Sequence, residues 1–177
     1  LAIFDRLPPR KDIIPVYAVI VFMVYGWTIF KFNYAMSGWL FFLTFGEVVD
    51  VLTYVMTVNF FESAMILLGI VALAVVLPRA WFADAFVARG AVLSASALGL
   101  MMYVADQFGE KSYYPSEIVR WLPAILLAAG LFVYALGRVQ FARKAIEFFA
   151  DRSIIFLYVS IPVSILSALA VLARNLF

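Results

Sequence analysis

The sequence predicts an all-α fold: a polytopic transmembrane helix bundle of about five spans, with the N-terminus inside and the C-terminus outside. Three observations carry that reading. Of 177 residues, 67% are apolar and 14% are charged, against roughly 45–50% apolar and about 25% charged in a soluble domain. Apolar runs long enough to cross about 30 Å of hydrocarbon recur between polar breaks. Threading the chain through those runs puts nine Lys and Arg on one side (Arg6, Arg10, Lys11, Arg79, Arg89, Arg138, Arg143, Lys144, Arg152) and four on the other (Lys31, Lys111, Arg120, Arg174). The richer side is expected to be cytoplasmic.

The whole chain, residues 1–177, reads as a single transmembrane domain of a multi-pass cell-membrane protein. Pro8-Pro9 and the cations around it form a lead-in that resists helix. The first span is residues 13–32, with Pro15 tolerated in the first turn and Trp27 and Lys31 suited to the far interface. Asn33 to Phe45 is too short to span, and its aromatic residues predict an interfacial connector. The second span is 47–77, closed by Pro78-Arg79; at about 1.5 Å per residue it is longer than the hydrocarbon is thick. Residues 79–89 predict an amphipathic segment lying on the inner surface. The third span is 90–106, where Gly90, Ser94, Ala95 and Gly99 predict a close-packing face. A polar loop, Asp106 to Arg120, leads to the fourth span, 121–138. Residues 138–152 predict a second inner amphipathic segment, with basic side chains toward lipid headgroups. The fifth span is 153–173, kinked at Pro162 and carrying the hydroxyl stripe Ser160, Ser164, Ser167.

The second span holds the residues that most need explaining. Glu47, Asp50, Asn59 and Glu62 interrupt its first half. With Glu47 set to zero and about 100° per residue, Tyr54 falls near 340°, Asp50 near 300°, Glu62 near 60° and Asn59 near 120°. The three carboxylates share about one third of the circumference. A carboxylate in a spanning segment is expensive in lipid and faces protein or water, so Glu47, Asp50, Tyr54, Asn59 and Glu62 form a candidate polar or ion-handling stripe. The same topology brings Asp106, Glu110, Glu117 and Arg120 to the outer end of the bundle as candidate outer-loop contacts. Arg120 is the cation best placed to meet Glu62.

Several function classes lose support. With no histidine and no cysteine, the usual ligands for haem iron, zinc and copper are missing, and no thiolate chemistry or disulfide is available. No nucleophile elbow, zinc-protease or phosphate-loop motif is present. The expectation is therefore no catalytic residues, no metal and no cofactor. A net charge of +2 gives no basis for nucleic-acid binding. The expected partners are the lipid bilayer and either other membrane subunits or a second copy of the chain. The expected role is helix–helix association, as a homo-oligomer or an accessory subunit of a larger complex, with the small-residue faces of the third and fifth spans and the carboxylate face of the second as contacts. The alternative is a small transporter or channel in which Glu62 handles a cation or proton.

Overall fold

A computed structural model describes residues 7–109 and 116–176. Within them the chain is a bundle of six α-helices, with no strand. In order these are α1 (Arg10–Trp39), α2 (Phe45–Val76), α3 (Phe86–Phe108), α4 (Ser116–Arg138), α5 (Gln140–Ser153) and α6 (Ile155–Leu176). Four helices are individually long and apolar enough to cross a membrane, and α4 with α5 makes a fifth candidate if that bent pair is one span. The bundle is thus a membrane-type fold of four to five spans.

α1 is the central helix. It packs against α2, α3, α5 and α6, and from Ile13 to Trp27 it is apolar on every side, as a helix surrounded by protein and lipid should be. Val16, Ala18, Val19, Ile20, Val21, Val24 and Tyr25 are buried along it. Buried hydroxyls tie its neighbours to it. Tyr17 Oη lies 3.4 Å from Ser63 Oγ of α2, and Tyr25 Oη lies 2.6 Å from Ser164 Oγ of α6. Tyr25→Phe is expected to lower stability by about 1 kcal/mol, because it strands the buried Ser164 hydroxyl in apolar surroundings. Thermal unfolding of both proteins in the same detergent, with Ser164→Ala alongside, measures this; a Tyr25→Phe protein as stable as the parent would contradict it.

The connector expected from Asn33 onward instead continues α1 as helix to Trp39, and only a short turn separates it from α2. No proline or glycine pair interrupts the run, so backbone bonding carries on past Lys31. At about 1.5 Å per residue α1 and α2 are about 45 and 48 Å long, whereas α6 is about 33 Å. The α1–α2 hairpin therefore projects beyond the other helices and ends in Phe41, Phe42 and Phe45, all largely exposed.

Residues 79–89 also depart from expectation. They form turns, a single 3₁₀ turn at Ala83–Ala85 and the start of α3, rather than one amphipathic surface helix. Phe82 and Phe86 are buried in the core with α1 and α2. Their aromatic area is better spent between helices than at a headgroup boundary. The third helix is consequently longer than the 90–106 run suggests. Its small residues are used within the chain: a Cβ on Gly90 would stand 3.2 Å from both methyls of Val16 and 3.4 Å from Ile70 Cγ2. Ser94 is buried as well, and its hydroxyl donates to the Ala91 carbonyl at 3.0 Å. The expected contact faces on α3 and α6 are thus at least partly consumed by α1.

At the other end of α4, the chain bends by 97° into α5. Arg143 Nε donates to Glu147 Oε1 at 2.7 Å across one turn of α5. Two ends of the bundle can now be distinguished: the Arg10 end, where α1 and α3 begin, and the Lys31 end, where α2 begins and α3 finishes.

Candidate intramembrane polar site

The five residues of the predicted stripe go to three different environments. Glu47 closes the first turn of α2. Its carboxylate accepts from the Thr44 amide at 2.7 Å and the Thr44 hydroxyl at 2.8 Å, while the Glu47 amide donates to Thr44 Oγ1 at 3.4 Å. That reciprocal cap satisfies two amides that a helix start otherwise leaves open. Asp50 forms an ion pair with Arg174 in the last turn of α6. Tyr54 sits one turn further on, and its hydroxyl accepts from Asn175 Nδ2 at 3.3 Å. Glu47, Asp50 and Tyr54 thus line one shallow groove with Arg174, between the start of α2 and the end of α6.

Asn59 turns the other way. It is 4% exposed, and its side-chain carbonyl accepts from Thr28 Oγ1 of α1 at 3.1 Å. Its Nδ2 is buried without a hydrogen-bond partner. Glu62 stands only three residues later but is exposed. No hydrogen bond or ion pair reaches it from any described residue. It borders a cavity of about 160 Å³ whose other walls are Val24, Trp27 and Thr28 of α1 and Leu98, Met101, Met102 and Ala105 of α3.

Asp106 seals the Lys31 end of this cleft. It pairs with Lys31 between α3 and α1, and the Lys31 ammonium also lies 4.8 Å from the centre of the Trp27 ring. The Lys31 and Asp106 side chains are both close to half exposed. Glu62 lies deeper. Its cavity partners on α1 and α3 are centred about 7 Å further in than that ion pair, by the helical rise. Among the other expected loop contacts, Glu110 lies outside the described residues. Glu117 falls in α4, where its side chain is not described, and Arg120 is exposed on α4. No ion pair joins Arg120 to Glu62.

No family model, curated protein or solved structure matches the chain. Three participants lie outside the predicted stripe: Thr28, Arg174 and Asn175. Each is a polar residue within or just beside an apolar run, and Arg174 carries the charge opposite to Asp50 at the same end of a neighbouring helix. One further polar group, Arg89 of α3, is 4% exposed near the Arg10 end. Its Nη1 donates to the Ala80 carbonyl at 3.0 Å, and its guanidinium lies 5.5 Å from the Tyr134 ring centre on α4. Among the described residues, no group of three or more Asp and Glu is arranged to hold a metal ion.

Proposed function

We propose that this is a small integral membrane protein with a non-catalytic role, acting by helix–helix association as a homo-oligomer or an accessory subunit, and that the Glu62 face of α2 is its contact. One observation carries the reading: Glu62 is exposed on an apolar helix and has no partner among the described residues. Around it Val58, Phe61, Met65 and Leu68 are exposed too. Those apolar side chains are content in lipid, but a carboxylate among them is not. A neighbouring helix that donates a hydrogen bond or a positive charge removes the penalty and gains specificity.

The expected result is recovery of the protein in a defined complex when it is gently extracted from its own membranes and examined by native mass spectrometry. Glu62→Gln keeps the shape but removes the charge, and is expected to weaken that complex about ten-fold, the equivalent of about 1.4 kcal/mol. A strictly monomeric parent protein would overturn the proposal. A second reading, cation or proton handling by Glu62, is favoured by the 160 Å³ cavity beside it. That reading requires flux into liposomes that changes with Glu62→Gln; equal flux through both proteins would exclude it.

A further inference from the structure

We propose that the partner of Glu62 is Arg120 of a second copy of this chain. The inference rests on the association reading above and names its partner. Its grounds are depth, direction and charge.

Depth comes from the α3–α4 pairing. Arg89 of α3 lies against Tyr134, and its stem lies against Gly137 of α4, near the Arg10 end. The two helices run in opposite directions. Fourteen residues toward the Lys31 end lead from Tyr134 to Arg120 on α4 and from Arg89 to Tyr103 on α3; counting seventeen from Gly137 leads to Asp106. Arg120 is therefore level with residues 103–106, about 21 to 26 Å from the Arg89 contact. Glu62 is level with Met101, Met102 and Ala105, which share its cavity. Carboxylate and guanidinium thus stand at nearly the same depth, within about one helical turn.

Direction explains why they do not meet within one molecule. Relative to Arg89, which faces α4, the cavity residues Leu98, Met101, Met102 and Ala105 fall at about 180°, 120°, 220° and 160° around α3. The α4 side and the Glu62 side are opposite faces of the same helix. With α3 between them, the two charges are kept apart in the protomer. Both are exposed, and neither has an ion-pair partner among the described residues.

The surfaces around them suit contact between copies. α4 packs mainly against α3 and α5, and Trp81 lies against its Tyr134. It exposes Ile125, Leu127, Leu131 and Phe132, and Gly130 has open space where a Cβ would be. α2 and α4 both run from the Lys31 end toward the Arg10 end. Placing Glu62 of one copy beside Arg120 of the next therefore sets the two helices parallel, with Met65 beside Pro123 and Ala124. Because the charges lie on opposite sides of α3, the contact is head-to-tail, and in a membrane plane it closes as a ring or extends as a row.

The chain has no cysteine, so introduced cysteines report without background. The test uses Met65→Cys and Ala124→Cys in separate full-length chains, co-expressed and oxidised in the membrane. A Met65→Cys to Ala124→Cys dimer is expected, forming at least about ten-fold more than either homodimer. In that background E62R or R120E alone is expected to cut the yield about ten-fold, and E62R with R120E to restore it. Circular dichroism melts confirm that each variant is folded, and Glu62→Gln with Arg120→Gln serves as the neutral pair if a reversed charge is not inserted. Absence of the mixed dimer, or failure of the paired reversal to restore it, overturns the pairing. If the parent is then found in a complex with other subunits, association stands and only self-pairing falls; if it is a monomer, both fall.

Discussion

Gly90→Leu is expected to destabilise the bundle by at least about 3 kcal/mol, the largest effect of any single apolar substitution proposed for this protein. Gly90 sits where α1, α2 and α3 meet. Val16 is 0% exposed and Ile70 6% exposed, and both flank the position at which a first carbon would already be tight. An alanine there asks for a shift of a few tenths of an ångström, and its better helix propensity offsets part of that cost. A leucine adds three more carbons to a site with no free volume, so α3 must move away from α1 or the side chain must leave its rotamer. Gly69 provides the control. It is exposed on α2, next to Ile70, with nothing within 4 Å of an added Cβ, so Gly69→Leu should not destabilise, its better helix propensity adding up to about 1 kcal/mol. Unfolding in mixed micelles separates the two outcomes. Equal behaviour of the pair would mean that α1 and α3 do not pack as described.

The contrast between Gly90 and Gly69 also shows what a membrane sequence conceals. In a soluble helix, apolar periodicity marks the buried face. Here lipid is as apolar as the core, so α1 reads the same on its packed face, at Val16 and Ile20, as on its exposed positions Ile14, Ile29 and Phe30. The existence of long apolar helices was legible because the requirement of a bilayer is written in composition and run length. Which faces meet was not. The aromatic residues Phe82 and Phe86 illustrate the ambiguity: near a charged break they suit a headgroup boundary and a helix junction equally well, and only tertiary packing chose the second.

The polar site divides along the same line. Local chemistry was available in the sequence, including the Thr44–Glu47 spacing of a capping box, which engages Glu47 apart from Asp50 and Glu62. Long-range pairing was not available. Lys31 and Asp106 are 75 positions apart, and Tyr25 and Ser164 are 139 apart. The helical wheel put Asn59 and Glu62 about 60° from each other, and that small rotation is enough for α1 to cover one and leave the other open. A wheel assigns angles; the neighbouring helix decides which angle is inside.

Arg89 and Gly137 should behave as a coupled pair. A Cβ on Gly137 would overlap Arg89 Nε, stand 3.0 Å from its Cγ and 3.2 Å from its Cδ. These atoms are the middle of the side chain, anchored beyond by the Ala80 carbonyl and the Tyr134 ring, so the stem cannot simply swing aside. Arg89 Nε is buried without a hydrogen-bond partner. Gly137→Ala is therefore expected to cost about 1–3 kcal/mol in the parent protein. Arg89→Ala should cost about 2–4 kcal/mol, through lost packing of the long stem and an unpaired Ala80 carbonyl. Once Arg89 is gone, the room it filled accepts the methyl group, and Gly137→Ala in that background should cost less than about 0.5 kcal/mol. The non-additivity, about 1–3 kcal/mol, is what a double-mutant cycle would measure. Additive losses would show that the Arg89 stem does not lie across Gly137. The α3–α4 register inferred from that contact would then be lost, and with it the depth argument that sets Arg120 level with Glu62.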